Sequence, residues 1–502
     1  MRLSRRIVTT VAAVGTAVAL GACTSTPPVV DSTASVPSRR PTVSPSSTKP
    51  PAVIAQPQQG MLTGPGVSDA SISLGLIVDA STDRGFTDGV KLWRDTVNTT
   101  GGICGRTIAL AIAAAGSAPE VSYETLGRST LGLITMESGA AGMTLASRIR
   151  ADRIPAFTPE GTSGKRSESG PPIVLGATDD ILAINTAAHL LSTGVIPANG
   201  TLGVLVDDSA AAADVMQGLA WWADKNKVTL RPLPETGSVP ADIPAVFAAV
   251  HPAQVASLLL RTSPAGGAAV TSAVTGSAGA AGSSGNNPAG TTDSAASAGG
   301  GTTVGTVTVG TVTTTKAGGA DSGAAASSPA GDGAAASAVA GSGPRSAGSA
   351  GPIIATTLDG FDPSLVPAGQ AGRLLVATVT PSAGADHPGV KAVDAAYAAA
   401  GHYNPGPRLL EGYATGTIWA GLLEPMCSAR TLTRSAALAE LAQLAPSSPD
   451  SLFGPTNPNV ALSGAPASRV SALSIADPAA PAGLRPLTLL ESAPGIADYR
   501  SG

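Results

Sequence analysis

The stretch "ISLGLIVDASTDRGFTDGVKLWRDTVNTTGGICGRTIALAI", residues 72–112, decides the fold. Its first seven residues, Ile72–Val78, are almost all apolar, which is typical of a strand buried on both faces. Apolar residues then recur at helical spacing from Phe86 to Val97, and Gly101-Gly102 ends that helix. A second apolar run follows at residues 106–112. A strand, an amphipathic helix and another strand joined by short turns predict an α/β domain with a mostly parallel sheet.

The same alternation continues along much of the chain. Further strands are predicted in LGLITM (131–136), IPAF (154–157), TLGVLVDD (201–208), AVFAAV (245–250), GPIIATTLDG (351–360) and RLLVATVT (373–380). Further helices are predicted in GMTLASRIRADR (142–153), around Val215–Trp222, and in PAQVASLLLRT (252–262), GVKAVDAAYAAAG (389–401), EGYATGTIWAGLLEPM (411–426) and SAALAELAQLA (435–445). This many elements predict two α/β lobes, each a mostly parallel sheet flanked by helices.

The N-terminal residues have the features of an export signal. Three arginines precede an apolar segment at Ile7–Leu20, which is too short to span a bilayer. Leu20-Gly21-Ala22-Cys23 resembles the bacterial lipobox, which implies a lipid on Cys23 and an anchor on the outer face of the bacterial cell membrane. Residues 1–23 are therefore interpreted as a lipoprotein signal peptide. The alternative is an ordinary signal peptide with a chance cysteine.

Two segments have the composition of chain without a packed core. Residues 24–66 are rich in Pro, Ser and Thr, which predicts an extended tether between membrane and domain. Residues 263–350 are almost entirely Gly, Ala, Ser and Thr, so they cannot bury enough apolar area to offset chain entropy. We expect a disordered insertion there. The alternative is a hairpin, because the stretch TVGTVTVGTVTTT (303–315) alternates at the period of a strand.

Composition and motifs exclude several classes of protein. The 34 acidic and 30 basic residues nearly balance, so nothing favours nucleic acid as a partner. The four histidines are scattered without metal-ligand spacing, and neither G-x-S-x-G nor H-E-x-x-H occurs. We therefore expect no cofactor, no metal and no enzyme activity. Only a catalytic triad assembled from distant residues would change that expectation.

The cysteines favour a disulfide. If Cys23 carries lipid, only Cys104 and Cys427 remain in an exported chain, where an even pair of cysteines indicates a disulfide. Two unrelated buried thiols are the alternative. Cys104 is unusual because it lies in a glycine-rich turn, a place that favours Gly, Asn, Asp and Pro.

Several blocks together resemble a known family. Residues 72–112, LGLITMESGAAGMTLASRIRADRIPAFTPEGTS (131–163), PIIATTLDGFDP (352–363) and EGYATGTIWAGLL (411–423) resemble, in this order, the type I periplasmic binding proteins of branched-chain amino acid ABC transporters. In that family a "GGINGR"-like turn leads into the second strand, and Cys104 replaces its asparagine. The resemblance implies a monomeric two-lobed clamp that closes on a small ligand and docks on an ABC permease in the membrane.

The resemblance also implies three hinge crossings and a division of the chain. The first lobe takes residues 68–171 and 383–455, the second takes 172–262 and 351–382, and the tail at 456–502 adds to the hinge and the second lobe. Cys104 and Cys427 then both fall in the first lobe. A disulfide between them would tie a late helix to the early sheet and leave the hinge unrestrained.

Ligand-binding residues are carried over from the same resemblance. Loops before a helix and after a strand hold the ligand carboxylate in the family, and helix N-termini suit an anion. Aspartates and a serine after other strands would contact an ammonium or other polar groups. The candidates are Asp79, Ser81, Ser138, Gly139, Thr158, Gly161, Thr162, Asp207, Asp208 and Asp359. Capping and turn formation explain the same residue types equally well.

Two loops depart from the family. DDSAAAADV (207–215) has alanines where the family carries an aromatic, and DASTDRGFTDG (79–89) lacks its Thr-Gly-Pro pattern. The ligand therefore differs from a branched-chain amino acid, or binding is lost. We consider two hypotheses: a lipid-anchored solute-binding component of an ABC importer for an amino acid or similar small polar metabolite, and a cell-envelope sensor or scaffold with a degenerate cleft. A bound ligand would favour the first.

Overall fold

The structure is a computed structural model. It describes residues 60–78, 85–114, 119–136, 139–163, 170–206, 210–234, 255–261, 353–365 and 372–500. The predicted signal peptide with Cys23, most of the tether and the low-complexity insertion lie outside these residues. None of the helices within them is both long enough and apolar enough to cross a membrane.

The described elements alternate as the sequence pattern predicts. The strands are β1 Leu62–Thr63, β2 Ser71–Val78, β3 Thr107–Ala114, β4 Gly132–Thr135, β5 Ala156–Thr158, β6 Ile173–Val174, β7 Thr201–Val206, β8 Thr229–Pro234, β9 Val255–Arg261, β10 Ile353–Thr357, β11 Leu374–Thr378, β12 Thr431–Leu432, β13 Ala472–Ala476 and β14 Leu484–Pro486. The helices are α1 Phe86–Thr99, α2 Pro119–Ser129, α3 Gly139–Ala151, α4 Asp179–Ser192, α5 Ala210–Asn226, α6 Pro388–Ala399, α7 Leu409–Ser428, α8 Arg434–Leu441 and α9 Pro458–Ala461.

Two sheets organise the fold. The five-stranded sheet has the order β3-β2-β4-β5-β6, and all of its pairs are parallel. The seven-stranded sheet has the order β14-β13-β11-β10-β9-β7-β8. The pairs β14–β13 and β13–β11 are antiparallel, and the other four pairs are parallel. The predicted α/β class with mostly parallel sheets flanked by helices is confirmed. The strand order in each sheet reverses beside its first strand, as in doubly wound folds.

The chain passes between the two sheets three times: after β6, after β11 and before β13. The first passage comes slightly later than the predicted boundary at 171/172, because Ile173 and Val174 still pair with β5. Two passages lie side by side, since a Cβ on Gly176 would come within 2.5 Å of Val379. The tail contributes β13 and β14 to the seven-stranded sheet.

Several sequence predictions need correction. Val255–Arg261 was expected within a helix, but it is a central strand that pairs with β7 and β10. Its leucine spacing fits a helix as well as a strand, and only the neighbouring strands decide between them. The predicted tether extends to residue 66, whereas β1 already pairs with β12. The helices α2, α4 and α9 and the strands β1, β6, β8, β12, β13 and β14 were not predicted.

Small residues let α1 and α7 pack closely. A Cβ on Gly89 would come within 2.0 Å of the Leu409 carbonyl oxygen, and one on Gly412 within 2.1 Å of the Phe86 carbonyl oxygen. Trp419 of α7 packs edge-on against Phe157 of β5, with 5.0 Å between ring centroids. These contacts fix α7, and therefore its first turn, against the five-stranded sheet.

Gly412→Ala is expected to lower the free energy of unfolding by about 1–3 kcal/mol, because the new methyl group overpacks the α1–α7 contact. Gly421→Ala on the same helix is the matched control, since no atom lies within 4 Å of its added Cβ. The control should be neutral or stabilising by up to about 1 kcal/mol through helix propensity. Urea denaturation of both variants measures the difference, and equal effects would disprove the close contact.

Candidate functional site

The candidate site lies where the carboxyl ends of strands from both sheets meet. In open α/β sheets, ligands bind outside the carboxyl ends of the strands. Glu160 follows β5 of the five-stranded sheet by two residues, and Asp359 follows β10 of the seven-stranded sheet by two residues. One arginine, Arg408, contacts both of them.

Arg408 is the centre of a buried ion cluster. Its side chain is 3% exposed and precedes α7 directly. Nη1 donates to Glu160 Oε2 at 2.5 Å and to Glu411 Oε2 at 3.0 Å, while Nη2 donates to Asp359 Oδ1 at 2.6 Å. Three carboxylates therefore surround one guanidinium. Of these three, only Asp359 follows a strand of the seven-stranded sheet. We call Glu160, Asp359, Arg408 and Glu411 the ion cluster.

Burial shifts the protonation equilibria of the ion cluster. Desolvation, followed by the neighbouring Glu160 carboxylate, raises the pKa of Glu411 well above its usual value, although Arg408 opposes this. Burial would lower the pKa of Arg408, but the three carboxylates more than offset it, so the guanidinium stays charged. Within the described part of the chain, Oε1 of Glu160 and Oε1 of Glu411 have no hydrogen-bond partner. Glu160 and Glu411 repel each other when both are ionised, which is one cause of the raised pKa of Glu411.

A second contact links the loop after β5 to a helix of the seven-stranded half of the molecule. The backbone N–H of Ser163, in the loop after β5, donates to Asp214 Oδ2 at 2.7 Å, and the Ser163 hydroxyl donates to Asp214 Oδ1. Asp214 lies in α5, and both side chains are buried. The loop from Thr158 to Ser163 thus contacts groups from both halves of the molecule.

Five of the ten candidate ligand residues fall in described parts of the chain. Thr158 ends β5, is buried, and its hydroxyl donates to the Glu160 carbonyl at 2.9 Å. The Gly161 carbonyl accepts from the Asp179 N–H at 3.3 Å, which places it against the start of α4. Thr162 is half-buried next to it. Asp359 is the middle residue of a short 3-10 turn, Leu358–Gly360, after β10, and Gly139 is the first residue of α3.

The structure therefore brings the loop at 158–162 and Asp359 together through Arg408 and leaves Gly139 without a described link to them. The other candidates, Asp79, Ser81, Ser138, Asp207 and Asp208, lie outside the described residues. In the described ranges, no group of three or more His, Cys, Asp and Glu residues is arranged to hold a metal ion.

Sequence reasoning missed Arg408, Glu160 and Glu411. A local signal was present, since Arg408 and Glu411 are three residues apart at a helix start and such pairs lie on one helix face. No local signal pointed to Glu160, which lies 248 residues from Arg408.

The predicted pairing of the cysteines is present in the structure. Cys104 and Cys427 form a disulfide with 5.4 Å between their Cα atoms. It joins the turn after α1 to the last turn of α7, and it is remote from the strand ends that hold the ion cluster.

Solved structures share this architecture. A fatty acid ABC transporter substrate-binding protein from Thermomonospora curvata is 20% identical, with a TM-score of 0.65 over 89% of this chain and 98% of that chain. A possible leucine/isoleucine/valine-binding protein from Rhodopirellula baltica is 14% identical, with a TM-score of 0.55 over 84% and 96%. An ABC transporter substrate-binding protein from Desulfitobacterium hafniense in complex with Leu is 12% identical, with a TM-score of 0.54 over 83% and 100%.

The chain has the fold of the leucine/isoleucine/valine-type substrate-binding proteins. No protein-family model matches the sequence, and a search of curated proteins gives no match. In this chain the ion cluster lies where the carboxyl ends of strands from the two sheets meet.

Proposed function

We propose that this chain is a lipid-anchored, extracytoplasmic solute-binding protein of an ABC importer. It would bind an amino acid or a similar small polar metabolite by closing its two lobes and would then dock, as a monomer, on a permease in the membrane. The single observation that carries the proposal is the bridge from Arg408 to Asp359, because it joins polar groups that follow strands of the two different sheets. A ligand held there gains contacts from both lobes only in the closed form.

The ligands named for similar structures support a carboxylate as the bound group. The Desulfitobacterium protein is in complex with Leu, and the Thermomonospora protein is described as a fatty acid transporter component. Both kinds of ligand carry a carboxylate on an apolar chain. In this chain, the Gly161 carbonyl accepts from the N–H of Asp179 at the start of α4, and the hydroxyl-bearing residues Thr158 and Thr162 lie in the same loop.

The test is a thermal-shift and calorimetric screen of the full chain in detergent against matched pairs of carboxylic acids. Each pair has the same carbon skeleton with and without an α-ammonium group, for example leucine and 4-methylpentanoate, or 2-aminooctanoate and octanoate. A ligand at a hundredfold excess over Kd should stabilise the fold by about 2.7 kcal/mol. The corresponding alcohols serve as controls and should give no shift.

Uptake by cells tests the importer role separately from ligand binding. Cells that lack the chain should lose uptake of the ligand found in the screen, and the wild-type chain should restore it. Binding without an effect on uptake would favour the second hypothesis, an envelope sensor. The absence of any binding would favour a scaffold with a degenerate cleft.

Cys23→Ala should release the chain from the membrane fraction, and retention there would disprove the lipid anchor.

A further inference from the structure

Asp359 was expected to pair with the ammonium of a ligand, but it already has a cation. Arg408 Nη2 lies 2.6 Å from Asp359 Oδ1, which is the spacing of a charge-assisted hydrogen bond. The Asp359 side chain is 36% exposed, whereas Arg408 is 3% exposed. The guanidinium therefore contacts the carboxylate from its buried side.

The rest of the ion cluster holds Arg408 in this position. Glu160 and Glu411 both accept from Nη1, so Nη2 is directed at Asp359. Trp419 and the close α1–α7 contact fix the helix that begins directly after Arg408. A guanidinium anchored at three points would lose these hydrogen bonds if it moved aside for a ligand.

An ammonium group at Asp359 would have to share that carboxylate with Arg408. The two like charges would lie within a few ångströms of each other, and their repulsion would offset part of the attraction between the ammonium and Asp359. The ammonium would also lose its hydration shell on entering the cleft without gaining an unshared carboxylate. A ligand without that group avoids both costs.

We propose that Arg408 is the built-in counter-ion of Asp359 and a specificity-determining residue of the cleft. It occupies the position that a ligand ammonium needs, so the site selects monocarboxylates that lack an α-ammonium group over the amino acids of the same skeleton. This inference rests on the proposed binding function and narrows its ligand class.

The matched pairs of the screen test this directly, because every compound that binds has a partner differing only in the ammonium group. Calorimetry of the full chain should give at least tenfold tighter binding for the member without the ammonium. Equal or tighter binding of the amino acid would overturn the inference and leave the solute-binding function intact. If no member of any pair binds, both the function and the inference are wrong.

Two variants test whether Arg408 causes the preference for the acid without an ammonium group. Arg408→Gln should shift the affinity ratio of a pair at least tenfold toward the amino acid, because Asp359 loses its internal cation. Asp359→Asn keeps the arginine and should fold even if Arg408→Gln does not, which circular dichroism checks. It should leave the preference for the ammonium-free acid in place. A selective loss of at least tenfold in amino acid affinity in Asp359→Asn would overturn the inference, since it would make Asp359 an ammonium contact.

Discussion

Arg408→Met is expected to lower the free energy of unfolding by about 3–5 kcal/mol at pH 7. The variant keeps a similar side-chain volume but removes the cation that the described residues place beside Glu160, Asp359 and Glu411, whose contacts with it are 2.5–3.0 Å long. Removing one partner of a buried ion pair leaves uncompensated charge that the interior solvates poorly. Urea denaturation of wild type and variant at pH 7 measures the loss.

The loss should shrink as the pH falls. Burial raises the pKa of Glu411 well above its usual value even with Arg408 present, and removal of the guanidinium removes a charge that opposes this rise. A group whose pKa is raised on folding stabilises the fold below its unfolded pKa, near 4.5 for Glu411, and loses this contribution as the pH rises through the folded pKa. The variant should therefore approach wild-type stability toward pH 4.5.

Arg128→Met is the matched control for this prediction. Arg128 also pairs with a glutamate, Glu124, at 3.1 Å, but its side chain is 84% exposed. Exposed pairs contribute about 0–1 kcal/mol, so the control should change stability little and with weak pH dependence. A loss in Arg408→Met no larger than in Arg128→Met would contradict a buried ion cluster.

The fold could be predicted from the sequence because its first βαβ unit has strong and unambiguous periodicity. Residues 72–112 predicted two strands and a helix, and the structure has β2, α1 and β3 there. The segment at 252–262 failed because a short apolar run fits a helix or a buried strand, and its position between β7 and β10 is a property of the folded chain.

The candidate site was predicted only in part, for a different reason. Asp359 and the loop at 158–162 were found because strand ends carry polar ligand groups in α/β sheets. The partner of Asp359 was missed, since Arg408 is 49 residues away in sequence and an arginine before a helix has no distinctive local pattern. A charged side chain acquires its role from the charges that folding brings to it, and one sequence alone does not contain those distances.

Removal of the Cys104–Cys427 disulfide is expected to lower the free energy of unfolding by about 2–5 kcal/mol. The bridge closes a loop with a sequence separation of 323 residues, so it strongly restricts the unfolded chain. In the folded protein it joins the adjacent ends of α1 and α7, which already pack closely. Cys427→Ser and wild type in dithiothreitol should show the same loss in urea, because both open the same loop.

A comparison of two replacements at Cys104 separates the bridge from the turn. Cys104 has a φ of 55°, a left-handed conformation that asparagine tolerates better than most residues. Cys104→Asn should therefore be more stable than Cys104→Ser by a few tenths of a kcal/mol, while both lose the bridge. Dithiothreitol should destabilise wild type and leave both variants unchanged. If it leaves wild type unchanged as well, the two thiols are not bonded in the protein. The stability of the α1–α7 pair would then come from its close packing alone.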